Sequence, residues 1–336
     1  MKMNKQIVFA IIAVVMIVLG AVFVLWPRVP KGYSGKPESI TIGRPLSDSG
    51  TIIFTAEEQH LFAANGIMLT QKTYDTGLAA INGLLNNEIA FSGSAEYPVV
   101  VKALENASIS IIASFARTYN EYVVGRINKG IRNEADLRGK RVGLPRGALP
   151  EFYLGRFLDL HGMSIREVTL ANLTPKQAVD AFANGTVDAV VVWEPYVSKI
   201  KEQQTNRIVS WSMHSGQAQY AVLVGRNDWI RQHPEIVKRV LNSLAQAEEY
   251  VVRHPTEAKA ILKKWYQYDD AYVATVWTEH QFSLSLDQSL ITAMEDEARW
   301  MIKNNLTRKK QIPDFMNYIY VDGLKAVKPE AVMIIR

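Results

Sequence analysis

Short runs of branched apolar residues, most of them followed by a helical pattern, constrain this chain more than any other feature. Residues 39–43, 68–73, 89–92, 108–115, 121–126, 141–144, 167–170 and 189–193 all read as strands. Between them lie amphipathic stretches such as 76–86, where Leu78, Ile81 and Leu85 share one face. Alternation of this kind predicts α/β architecture, a largely parallel sheet with helices on its faces.

The pattern runs through twice. EYVVGR at Glu121 is echoed by QYAVLVGR at Gln219, and one complete α/β unit lies between the two. The simplest topology is a domain of residues 123–224 inserted into a first domain made of 39–122 and 225–336. The two echoing strands would then act as a hinge between two doubly wound α/β domains. After Arg226 the text is almost wholly helical, with Val237, Val240, Leu241 and Leu244 on one face, and these helices are expected to cover the outside of the first domain.

Residues 1–38 form a separate region. From Ile7 to Trp26 no residue is charged, long enough as a helix to cross a bilayer. A transmembrane signal anchor is expected, because the exit at Val22–Trp26 is bulky where a cleavage site needs small residues. A cleaved signal peptide is the other reading. Residues 1–36 carry five Lys and Arg and no acid, so they hold the whole formal net charge of +5. The body is neutral, which argues against a nucleic-acid partner. With no cysteine in the chain, disulfides, thiolate chemistry and a lipid-modified N-terminal cysteine are excluded.

No GxSxG, P-loop, HExxH or GxGxxG motif is present, and the six histidines show no metal-ligand spacing. No catalytic residue, metal or cofactor is therefore expected. The chemistry on offer is a cleft. In open α/β sheets, ligands sit beyond the carboxyl ends of strands, facing helix N-termini. Junctions rich in Gly, Ser or Thr occur at 47–51 (Ser47, Asp48, Ser49), 74–77, 92–96 (Ser92, Gly93, Ser94, Glu96) and 146–149 (Gly147, Ala148). Each either approaches a small polar solute or simply caps its helix.

Two stretches carry a family resemblance. GKRVGLPRG at Gly139–Gly147, and AFANGTVDAVVVWEP ending at Trp193, Glu194 and Pro195, resemble the solute-binding proteins of nitrate/sulfonate/taurine-type ABC transporters. The resemblance covers nearly everything from Ser39 onward. It implies the type II periplasmic-binding-protein fold, an extracytoplasmic location, closure of two lobes around one small solute, and docking on transporter permease subunits. The lipid-modified cysteine usual in that family is absent, so attachment would rest on the segment from Ile7 to Trp26.

On this resemblance Trp193 walls the cleft and Glu194 accepts from a solute N–H or bridges the lobes. The alternatives are core packing for Trp193 and a helix cap for Glu194. Asp48, Glu96 and Glu194 place acids near the expected cleft, with Arg44, Arg117 and Arg146 to oppose them. Phe115, Phe152 and Trp211 offer stacking surfaces, and His214 lies beside Trp211 in the sequence. That mixture suits a zwitterion or a nitrogen heterocycle as well as a simple oxyanion. Two other functions stay open. One is an enzyme resembling those of the menaquinone or thiamine-pyrimidine pathways, although the cysteine-rich motif of the pyrimidine synthase cannot exist here. The other is a ligand-sensing module for a partner protein.

Overall fold

The computed structural model describes residues 33–204, 207–213 and 216–335. The chain first lays down β1 (Glu38–Pro45), β2 (Ile67–Tyr74), β3 (Phe91–Ala95) and β4 (Ile109–Thr118). It crosses to a second sheet for β5 (Glu121–Arg126), β6 (Arg141–Leu144), β7 (Thr169–Asn172), β8 (Ala189–Trp193) and β9 (Ile208–Ser212). It then returns for β10 (Gln219–Arg226) and the short β11 (His280–Gln281). The first sheet runs β11-β4-β10-β3-β1-β2 and the second β7-β6-β8-β5-β9.

The two echoing strands hold matching places. β10 lies antiparallel between β3 and β4, and β5 lies antiparallel between β8 and β9. Each is the first strand the chain lays down after crossing from the other sheet. Residues 219–224, expected in the inserted domain, pair in the first sheet, and the chain passes between the sheets after Thr118 and again after Ser212. The reason is burial. All of β10 except its last residue is buried, so the strand fits only inside a sheet, with neighbours on both sides.

Period-two alternation explains how the second sheet sits. Val123, Ala189 and Val191 face a core shared with the first sheet. Val124, Val190 and Val192 face the opposite way, onto Phe182 and Ile200 of helices Pro175–Ala183 and Tyr196–Gln203. The cap at Thr174 forms as its sequence implies. Its Oγ1 accepts from the Gln177 amide at 3.3 Å, while Gln177 Oε1 accepts from the Thr174 amide at 2.9 Å.

Two local expectations are corrected. The helical pattern that starts at Ser47 and reads on to about Asn65 does not form one helix: helix Thr51–Glu58 ends before His60, whose φ is +55°. Four consecutive polar residues, Glu57 to His60, leave the helix nothing to bury there. The third strand starts at Phe91 rather than residue 89 and runs through Ala95, so Ser92, Gly93 and Ser94 are strand residues and not a loop. The segment from Ile7 to Trp26 lies outside the described residues. Among the described residues no helix is long and apolar enough to cross a membrane.

Candidate functional site

Pro45 at the end of β1, Ala95 at the end of β3, Trp193 at the end of β8, and Ala148 and Leu149 after β6 line one cavity of about 50 Å³. This is the place where open α/β sheets hold ligands. The volume admits a few water molecules, hence a solute of only a few heavy atoms.

Three helices begin on its wall. Gly50 is the N-cap of Thr51–Glu58, Gly77 is the first residue of Gly77–Leu85, and Ala148 is the N-cap of Leu149–Leu160. Helices Thr51–Glu58 and Leu149–Leu160 have no side-chain cap, whereas Thr76 Oγ1 accepts from the Ala79 amide of helix Gly77–Leu85 at 3.1 Å; a helix start with its partial positive end favours a negative group. Ser47 and Ser49 add hydroxyls, their Oγ atoms 3.0 Å apart. Arg44 completes this end. Its stem passes beneath Gly93, where a Cβ would meet Arg44 Cβ at 3.1 Å. Its guanidinium stacks 4.1 Å over Phe54, with Nη1 donating to the Pro45 carbonyl at 2.9 Å.

Different chemistry lines the other side. Glu121 and Gln219, the first residues of β5 and β10, both reach the cavity, as do Phe115 and Trp193. Glu121 sits directly opposite Trp193 in the β5–β8 ladder, so the two side chains share a face. Trp193 also links the halves of the molecule: its Nε1–H donates to the Leu46 carbonyl at 3.0 Å. Burial, with the charges of Asp48 and Glu96 behind it, pushes the Glu121 carboxyl up to about 8.

Of the residues singled out in the sequence, Arg44, Ser47, Ser49, Gly93, Ser94, Phe115, Ala148 and Trp193 line the cavity. The others do not. Asp48 is fully buried and turned inward, where Oδ1 accepts from Asn120 Nδ2 at 2.8 Å and lies 3.0 Å from His280 Nε2. Ser92 is buried in the strand beneath. Glu96 accepts from the Tyr220 amide at 3.1 Å, and burial pushes its carboxyl up to about 8. Arg117 is paired with Asp287 and stacks 5.2 Å over Tyr220. Gly147 has φ of +70° and donates its amide to Glu151 at 2.8 Å. Phe152 is core, 5.5 Å from the Trp300 ring. Glu194 caps the next helix by accepting from the Ser198 amide at 3.0 Å. Trp211 lies on β9, half-buried against the core. His214 lies outside the described residues.

The failures share a cause. Asp48, Glu96, Arg117 and Glu194 each satisfy a local backbone or ion-pair demand next to the cavity, and a charged letter near a strand end does not reveal which demand it meets. Glu121 and Gln219 were missed although a signal existed. They hold the same position in the two echoing strands, each directly before the tyrosine, where the chain passes from one sheet to the other.

Comparison with known proteins places the sequence and the fold. The family model described as "NMT1/THI5 like" matches residues 49–258. A provisionally assigned binding protein of Brucella abortus (strain 2308) is 24% identical over 228 residues, 67% of this chain and 70% of its own length. The taurine-binding periplasmic protein of Escherichia coli (strain K12) is 24% identical over 204 residues, 60% of this chain and 63% of its own. The alkanesulfonate-binding protein SsuA from Xanthomonas axonopodis pv. citri, solved bound to MOPS, superposes with a TM-score of 0.74 at 19% identity, covering 86% of this chain and 100% of its own. At that identity the superposition speaks for the fold alone, a periplasmic-binding-protein-like α/β architecture. The family match spans well over half of the sequence, and the chain belongs to the NMT1/THI5-like family.

Proposed function

We propose that the protein is the extracytoplasmic solute-binding component of an ABC importer, capturing a small anionic or zwitterionic solute between two lobes. One lobe is built on the first sheet and the other on the second, with the two passages between the sheets, after Thr118 and after Ser212, as the hinge. The observation that carries this reading is the composition of the cavity wall. Residues from both sheets meet there, three helices begin there, and Trp193 reaches across to Leu46. Rotation about the crossings would open the wall without breaking either sheet. The named relatives bind taurine or alkanesulfonates, which supports a solute with a sulfonate-like end against the helix N-termini.

The finer parts follow from the same reading. The segment from Ile7 to Trp26 would hold the protein at the outer face of the cytoplasmic membrane, and the lobes would deliver solute to permease subunits. Solute residues are Ser47, Ser49, Gly93, Ser94, Phe115, Ala148 and Trp193, joined by Arg44, Glu121 and Gln219. A test is thermal unfolding of the full chain with taurine, alkanesulfonates, nitrate and pyrimidines. A native-state ligand at about 100 times its Kd adds roughly 2.7 kcal/mol of stability. Stabilisation by one solute class without turnover is expected. Conversion of a solute to product, or indifference to every compound, would overturn the proposal.

A further inference from the structure

Where the two halves of the molecule touch, there is a buried acid that the solute cavity does not use. Helix Leu149–Leu160 packs on the second sheet and also against helices Glu96–Leu104 and Gln288–Lys303 of the first half. The contact is close. Gly155 lets the Trp300 indole lie on the helix backbone, where a Cβ would collide with its ring. Phe152 stands edge-on to Trp300 at 5.5 Å and stacks with Tyr97 at 6.0 Å. Glu297 lies one turn before Trp300. It is fully buried, and neither of its oxygens has a hydrogen-bond partner among the described residues. Burial raises the hydroxyls of Tyr97 and Tyr153, and the charge of Glu297 adds to both, behind Glu151 at Tyr97 and behind Glu96 at Tyr153. Glu297 thus sits where elements of both halves meet. A carboxylate sealed from water without a donor is so unfavourable that the group keeps its proton instead.

The groups around Glu297 come from every element packed on it. Helix Glu96–Leu104 brings Tyr97 and Glu96, which accepts from the Tyr220 amide at 3.1 Å and has its other oxygen unpartnered. Helix Leu149–Leu160 brings Tyr153, which donates to the Gln217 carbonyl at 3.2 Å, and Glu151, with Arg146 2.9 Å from its carboxylate. On the acid's own helix Asp296 is 3.4 Å from Arg299, and at the helix start Asp287 is paired with Arg117. From Phe315–Tyr318, Tyr318 donates to the Ala103 carbonyl at 3.2 Å. Each cation named here already has an acid.

We propose that Glu297 is a proton-linked latch between the lobes: closure of helix Leu149–Leu160 onto helices Glu96–Leu104 and Gln288–Lys303 buries its carboxyl as the neutral acid, parting of the lobes exposes and ionises it, and solute capture therefore takes up a proton from solvent. The inference rests on the reading of two lobes that close on a solute. Tyr153 ties the latch to the hinge, because Gln217, whose carbonyl it holds, lies in the passage after Ser212. In the open state the carboxyl titrates near 4.3. In the closed state burial, with Glu96 and Asp296 adding to it, holds the value well above the ordinary carboxylate range. Between those two values the solute and the proton bind together. The coupling is reciprocal: lower pH tightens solute binding, and bound solute tightens the hold of Glu297 on its proton.

Calorimetric titration of the purified full chain with taurine, propane-1-sulfonate, nitrate and cytosine tests this, since none of the four changes charge appreciably between pH 6 and pH 8. Run at one pH in buffers of different ionisation enthalpy, it counts the protons that accompany binding. Uptake of about one proton per solute is expected, with affinity falling about tenfold for each pH unit across that range. Glu297→Gln keeps the size of the side chain and removes its titration, so it should abolish about one proton of uptake and flatten the pH profile. Should that variant not fold, Glu297→Leu, which leaves no polar group in the contact, takes its place, and the wild-type proton count needs no variant at all. Binding without proton uptake, or uptake that survives the substitution undiminished, overturns the latch and leaves the importer reading standing. A folded chain that binds none of the four compounds overturns both.

Discussion

At the scale of single residues, identical chemistry serves opposite ends. Asp48 and Glu121 are both buried carboxylates within the same wall, but Asp48 is committed to a partner 232 positions away. His280 Nε2 lies 3.0 Å from Asp48 Oδ1, and the other ring nitrogen, Nδ1, lies 2.8 Å from the Val276 carbonyl. A ring held between two acceptors is a protonated ring. Burial alone would lower the His280 pKa, but the charge and hydrogen bond of Asp48 outweigh it and the value is raised. A raised histidine adds stability that is complete below its unfolded value of about 6.5 and is lost as pH climbs through the native value. His280→Ala leaves Asp48 buried beside no cation and should cost roughly 3–5 kcal/mol at pH 6. Urea unfolding of wild type and variant at pH 6 and pH 9 checks this, and the difference should shrink at the higher pH. A pH-independent difference would show the ring to be neutral packing. None of this was visible in the sequence, because the pair joins the first helix-start motif to a strand near the C-terminus.

Elements were far more legible than their contacts. Thr174, Asp269 and Asp287 are residue types that start helices, and each of the three side chains accepts a first-turn amide. Glycine punctuation was equally plain, with Gly66, Gly147, Gly162 and Gly185 all at positive φ. Whether such a glycine matters beyond its turn cannot be read locally. Gly162 has open space where a Cβ would go, whereas at Gly147 a Cβ would meet Leu78 Cδ2 at 2.7 Å. Leu78 belongs to helix Gly77–Leu85, which packs on the first sheet, so Gly147 is a point of close approach between the halves. Alanine at either position should lose about 1–2 kcal/mol through the left-handed backbone alone. Gly147→Ala should in addition wedge the cavity wall apart and weaken solute binding, while Gly162→Ala leaves affinity unchanged. Unfolding and titration of the two variants separate these effects, and equal affinities would mean that the loop yields without moving the wall.

For the whole molecule, the decisive property is the number of carboxyls gathered at the junction of the sheets. Burial raises Glu96 and Glu121 to about 8, and it raises Glu297, with Glu96 and Asp296 adding to it, well above the ordinary carboxylate range. Neither oxygen of Glu297 has a hydrogen-bond partner among the described residues. These positions lie on β5 and on helices Glu96–Leu104 and Gln288–Lys303, elements assigned individually by their sequence but brought together only by the crossing topology. In the unfolded chain each acid titrates near 4.3. The native state therefore holds more protons than the unfolded state from that pH up to about 8. Stability must fall across the window, since its slope with pH follows the difference in bound protons. Raised acids contribute fully below their unfolded value, and the contribution is gone above the native one. The unliganded protein should thus melt at progressively lower temperature between pH 5 and pH 9, with Glu96→Gln and Glu121→Gln each flattening the decline. Scanning calorimetry of the wild type and the two variants across this range makes the comparison, and a melting temperature that rises with pH would mean that the buried acids are ionised and matched by charges elsewhere.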